Sequence, residues 1–382
     1  MQSRRIILCA ATWLVAAGGA GVVAAPTALP SVEPDAELEQ RLLEIAGDGF
    51  RIHRTAHFAI AYDTPHDTVR LLQGRLEGTF AAVHRWCDRL GLIAAPLTSP
   101  MGVVLFARAE SFEAACMRAR INSSSVSGFY EQKLNLSFFL DATAGPIFAE
   151  VNARLESLQA QIDAARAAGG SSSATAGLVR EANSLRVQRD AAVERFNRLI
   201  IQHEAAHQLL HNLGVHPRGV RLPDWLVEGL ACHFESGQVA SGKGKAAVNQ
   251  TRLADFREAC AVGADRAGRP VSADDATAAW DAAVGSGQFL PLATLCGGGR
   301  IAEQDGVGAY RYAQAWGLVF FLIREDEAKF AAYVKATSTR RPGPALSDAD
   351  ELALFVEHFG PADEAFAQRW LRSVLSQPVR AE

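Results

Sequence analysis

Residues 203–235 read HEAAHQLLHNLGVHPRGVRLPDWLVEGLACHFE and gather more groups able to hold a metal and move a proton than any other stretch of the chain. His203 and His207 stand four apart, so on a helix their rings leave one face a turn apart, as two ligands of one zinc ion must. Glu204 lies beside them. A carboxylate there can take a proton from a water that the cation has made acidic, giving a nucleophile for an acyl carbon. Glu228 interrupts an apolar run of Trp225, Leu226, Val227 and Leu230. An ionised carboxylate in such company is costly unless a positive charge meets it, and a zinc held by two histidines still lacks a protein ligand. His203, His207 and Glu228 are therefore the expected ligands of one Zn2+ ion, and Glu204 the expected general base. His211 extends the same face by another turn and reads as a helix-end histidine rather than a ligand. Cys232 reads first as a small buried apolar residue, with an approach to the metal as the alternative.

This chemistry requires two helices. Ala192, Phe196, Leu199 and Ile200 set a period near 3.6 before the motif, and Leu209, Leu210 and Leu213 continue it. Gly214 then supplies a C-terminal cap, and Pro217 prevents continuation. A second, shorter helix follows, with Pro223 and Asp224 suited to its start and Trp225, Leu226, Leu230, Ala231 and Phe234 on its buried side.

The stretch HEAAH followed by LPDWLVEGLACHFE resembles the gluzincin zinc metallopeptidases, in particular the peptidase MA-like domains of secreted bacterial proteins, whose physiological roles are mostly undefined. The resemblance is specific over residues 203–235 and moderate over about 55–141 and 305–335. It implies zinc binding by His203, His207 and Glu228, with Glu204 as general base. Metzincin spacing is excluded, because the required glycine and third histidine would fall on Leu210 and Leu213. Similar proteins place a tyrosine near the start of a later apolar helix to stabilise an oxyanion, and AYRYAQAWGLVFFLI at 309–323 is such a helix. Tyr312 is the candidate and Tyr310 its substitute; anchoring the core is the other role open to Tyr312. Many gluzincins carry an aspartate where this chain has Cys232, and Glu235 can take over the task of orienting a histidine. A Gly, Met, Glu, Asn run for gripping a free amino terminus is missing, which speaks against aminopeptidase action.

Upstream, HFAIAYD at 57–63, MGVVLFA at 101–107 and a strand-turn-strand over 126–141 predict a small sheet, with helices at 66–91 and from about Ser111. Gly128 to Leu140 is either a substrate-facing edge, as the resemblance implies, or an ordinary hairpin. Val151, Leu155, Leu158 and Ile162, a GGSSS break at 169–173, then Leu178, Ala182 and Leu185 predict a helical hairpin. Its second arm should run on into the HExxH helix from about Gly177 to Leu213. The expected fold is α+β: a zincin-like lobe with a small mixed sheet, a helical-hairpin insertion and a mainly helical C-terminal part. The expected segments are a signal peptide at 1–25, a linker and helix at 26–54, an α/β part at 55–146, the hairpin at 147–192, the active-site helices at 193–236 and the helical remainder at 237–382.

A chain of 382 residues that is 49% hydrophobic can bury a sizeable core, and a net charge of −4 offers no broad basic surface, so nucleic acid is not an expected partner. Arg4 and Arg5 before an apolar run to about Val23 read as an export signal, which implies the periplasm, cell envelope or exterior. Membrane attachment is expected only if that segment stays uncleaved. The five later cysteines show no paired spacing, so no disulfide framework is expected. The composite expectation is a zinc-dependent hydrolase acting on a peptide or protein. The alternative is a non-catalytic zinc-containing envelope protein working through its helical hairpin.

Overall fold

A computed structural model describes residues 31–93, 96–121, 127–145, 148–168, 172–236, 247–263, 268–301 and 307–379. The export segment at 1–25 and the start of the GGSSS break lie outside them. The fold is α+β, with one mixed five-stranded sheet ordered β1-β2-β3-β5-β4. Its strands are β1 (Arg51–Arg54), β2 (Phe58–Tyr62), β3 (Met101–Phe106), β4 (Gly128–Glu131) and β5 (Leu136–Leu140). Strands β2, β3 and β5 run parallel and carry buried residues throughout, as continuous apolar strands covered on both faces must. The two outer strands pair antiparallel, β1 to β2 and β4 to β5. Sequence reading overlooked β1, because RIHR carries charge instead of an apolar alternation; such charge suits an edge strand.

One face of the sheet packs under α1 (Ala36–Ala46) and α3 (Ala109–Ala119), which bring Leu38, Leu42, Phe112 and Ala115 onto Ala61, Val104, Phe106 and Phe138. The opposite face receives α2 (His66–Arg89) and the helix carrying HExxH. Gly128 is needed there. A Cβ at that position would stand 2.7 Å from Ile200 Cγ2 and 2.8 Å from the Phe139 ring, so only glycine lets β4 lie this close to the helix.

The hairpin comprises α4 (Ala149–Ala167) and α5 (Ser172–Asn212), the latter running 41 residues without interruption into the motif. At 1.5 Å per residue it is roughly 60 Å long. Gly214, at φ +76°, turns the chain after it. Helix α6 (Asp224–Phe234) then returns beneath α5.

The remaining chain is helical among the described residues. It comprises α7 (Gln250–Ala259), α8 (Ala273–Gly285), the short α9 (Leu292–Cys296), α10 (Gly308–Ser338, broken at Asp326), α11 (Asp348–Phe359) and α12 (Glu364–Leu375). Asn249, Ser272, Ser347 and Asp363 cap their helices with side-chain acceptors. Helix α10 is the pillar of this half, buried from Ala313 to Ile323. It presses on α6 so closely that a Cβ at Gly229 would stand 2.6 Å from the Ala315 carbonyl oxygen. Cys87, Cys116, Cys232, Cys260 and Cys296 are all buried, and none of these five forms a disulfide. Among the described residues no helix is long and apolar enough to cross a membrane. Residues 31–382 cluster as one unit, so the hairpin and the segments on either side of it belong to a single body.

Candidate metal centre

Helix α5 presents His203 and His207 on consecutive turns, and α6 delivers Glu228 against them. The two Nε2 atoms stand 3.1 Å apart, Glu228 Oε2 lies 3.1 Å from His203 Nε2 and 3.4 Å from His207 Nε2. Ligand bonds of about 2.05 Å at a tetrahedral angle would separate donor atoms by about 3.3 Å, so this triangle has the size that zinc requires. Without a cation, two ring nitrogens and a carboxylate would be crowded together in a half-buried place. The donor set therefore fits a single zinc ion, with one tetrahedral position left open.

The orientation of His203 is set from behind. Its Nδ1 lies 2.8 Å from Glu235 Oε1, and since a carboxylate can only accept, Nδ1–H donates and the Nε2 lone pair is turned to the cluster. Glu235 is itself held by Arg252, through Nε at 2.9 Å and Nη2 at 2.7 Å, and by Asn249 Nδ2 at 2.7 Å. Burial would raise the Glu235 pKa, but Arg252 and His203 overcome it and hold the group at about 2. Glu228 behaves alike: burial opposes its charge, yet His207 and His203 draw its pKa well below the glutamate range. Cys232 Sγ lies 3.9 Å from His203 Nδ1, on the side away from the donor triangle, and burial pushes the thiol up to about 11. Glu235, and not Cys232, therefore makes the hydrogen bond that orients the His203 ring, and Cys232 lies alongside it.

Glu204 emerges from α5 beside the triangle, and its Oε2 accepts from the backbone N–H of Tyr130 on β4 at 2.9 Å. Burial raises its pKa, while His203 and His207 pull the other way. Strand β4 is one of the two edges of the sheet, and its Tyr130 amide is already engaged by Glu204. Tyr312, in the first turns of α10, sets its ring 5.7 Å from that of His203, and the Arg252 guanidinium lies over the Tyr312 ring at 5.4 Å from its centroid. Burial and the nearby Glu228 raise the pKa of its hydroxyl. Tyr310 points elsewhere: its hydroxyl donates to Glu258 at 3.0 Å.

His211 stands apart from the triangle. Its ring lies 5.6 Å from Tyr130 and 5.4 Å from His216, and burial lowers its pKa to about 4. Three residues that sequence reading did not single out hold the centre together. Arg252 and Asn249 secure Glu235, and no motif surrounds them. Gln208 fastens α5 to the sheet: its Nε2 donates to the carbonyls of Gly102 and Asn135 at 3.0 and 3.1 Å, and its Oε1 accepts from Ser137 Oγ at 2.9 Å. The one hint of its task was a glutamine among leucines on a buried face.

No curated protein and no solved structure matches this chain. Residues 199–343, which contain the donor triangle, Glu204, Glu235, Arg252 and Tyr312, match the family described as a protein of unknown function (DUF1570).

Proposed function

We propose that the chain is a single-zinc hydrolase of peptide bonds, with the organisation of a gluzincin and of a zincin-like lobe. The observation that carries this reading is Glu204: a half-buried carboxylate next to a three-donor cluster, tied down through one oxygen by Tyr130 and leaving the other for proton transfer. A purely structural zinc site is closed by four protein ligands and has no use for such a neighbour.

His203, His207 and Glu228 would hold the ion, which when bound supplies Lewis-acid polarisation of a carbonyl and acidifies a water. Glu204 would take a proton from the attacking water and deliver it to the departing amine. Tyr312 keeps its phenolic proton and donates a hydrogen bond to the oxyanion. Glu235 keeps the His203 ring in place throughout. The substrate is a peptide or protein met after export, beside the β4 edge.

The test compares wild type with Glu204→Gln, measuring bound zinc and cleavage of an unstructured protein. Both should carry about one zinc, with cleavage by the variant lower by about 10²–10⁴-fold, the usual contribution of a general base. Equal cleavage by two zinc-loaded proteins would refute the role of Glu204, and no cleavage by either would favour the envelope scaffold.

A further inference from the structure

In the helical C-terminal half, α8, α9 and α12 enclose a groove of about 450 Å³, within the size range of ligand sites. Buried Ala276, Leu292, Ala367 and Leu371 form its apolar depth, and half-buried Trp280 stands in its wall. Trp280 packs against Trp370 at 5.8 Å in a T-shaped contact, which steadies its ring. Gln368 Nε2 donates to Thr277 Oγ1 at 3.0 Å and ties α12 to α8. The rim carries charge of one sign: Asp281, Asp363 and Glu364 are exposed there, and no lysine or arginine lines the groove among the described residues.

These groups are not spent on one another. Asp281 has no hydrogen bond or ion pair among the described residues. Asp363 accepts from the Phe366 amide through one oxygen and Glu364 from Gln368 through one, so each keeps a second oxygen. Residues 273–299 contain Asp274, Asp275 and Asp281 but no lysine or arginine. The two arginines of α12 are engaged elsewhere, Arg369 with Glu325 at 3.3 Å and Arg372 with the Val271 carbonyl at 3.0 Å. Among the described residues no cation stands over the Trp280 ring.

We propose that this groove docks a basic segment of a protein partner, with a lysine or arginine side chain laid along Trp280 and its charge among Asp281, Asp363 and Glu364. Lysine and arginine carry a charged head on a long apolar stem, and they bury the stem while the head stays near water. The groove has the complementary order, apolar in its depth and acidic at its rim. Tryptophan is also the aromatic side chain that attracts a cation most strongly. A compact cation would match the rim and leave the apolar depth unfilled. None of the metal-centre residues lines the groove, so the proposal does not depend on the hydrolase reading.

The experiment titrates Glu204→Gln, in which the probe stays intact, with capped pentapeptides Ala-Leu-X-Leu-Ala where X is lysine, arginine or norleucine. Calorimetry gives the affinities, and tryptophan fluorescence follows the same titrations. The lysine and arginine forms should bind about tenfold more tightly than the norleucine form, the order expected for one cation–π contact and two exposed ion pairs. That preference should shrink as salt is raised, because the carboxylates are exposed. Adding Asp281→Asn/Glu364→Gln, or Trp280→Leu, should bring the ratio towards one. The first pair replaces exposed groups only, so it tests the groove even where Trp280→Leu fails to fold. No binding, equal affinity for charged and neutral forms, or a preference that survives Asp281→Asn/Glu364→Gln would overturn the proposal. So would tetramethylammonium binding as tightly as the lysine peptide, since the groove would then take a compact cation.

Discussion

The two ends of α5 are one continuous helix under opposite conditions. From Ile201 to Asn212 it is buried or half-buried at every position, and its polar side chains are tied to the sheet, to the β4–β5 turn, to α6 and to Glu235 just after it. From Gly177 to Asp190 most residues face solvent, Val187 is 68% exposed, and the helix leans only on α4 through Leu158, Ile162 and Ala182. Arg154 and Glu181 join those arms by an exposed ion pair of the kind that contributes little. Backbone hydrogen bonding is the same in both halves. What differs is the density of long-range polar ties, so the positioning of the reactive groups comes from those ties and not from the helix.

Removing the strongest tie should have the largest effect. Glu235→Ala strands a buried Arg252 and frees the His203 ring, so stability should fall by about 3–5 kcal/mol in urea unfolding. Zinc affinity of the refolded protein should fall about 10–100-fold. Acid should act on the same group more gently. The folded pKa of Glu235 is about 2 against an ordinary 4.5, so its contribution is complete above pH 4.5 and disappears as pH falls towards 2. That contribution is on the order of 3 kcal/mol, read as the steepness of acid unfolding of the wild type relative to Glu235→Gln.

Gln208→Leu keeps the helix but leaves Ser137 Oγ and two carbonyls without their partner. The expected cost is about 1–3 kcal/mol, and zinc binding should weaken with it, since α5 loses its register on the sheet. The mildest case lies in the other half. Ile162→Ala should loosen the hairpin locally, lowering amide protection over 155–185 while moving global unfolding by less than about 1 kcal/mol and leaving zinc content unchanged. A large loss of zinc from Ile162→Ala would show that the two halves are not independent.

Periodicity exposed much of this molecule before any coordinates. The apolar strands β2, β3 and β5, the hairpin break and the long run of α5 all follow from local patterns of burial. Strand β1 did not show itself, because RIHR is paired on one edge only and has no need of an apolar face. His203, His207 and Glu204 were legible since a helix fixes their relation within one turn. Glu228 was legible as a charge out of place among apolar neighbours. The sequence put Tyr312 first with Tyr310 as its substitute, since either lies near the start of the helix; the rotation of α10 is what lays the Tyr312 ring against His203 and sends Tyr310 to Glu258.

Residue types and spacing alone determined that two imidazoles and a carboxylate share one helix, because helix geometry acts over four residues. Only the tertiary structure decided what holds them: Glu235 reaches His203 across 32 positions, Tyr130 reaches Glu204 across 74, and Gly102 meets Gln208 across 106. Ties of that separation depend on how sheet and helices pack, and packing is a property of the whole chain that no local pattern records.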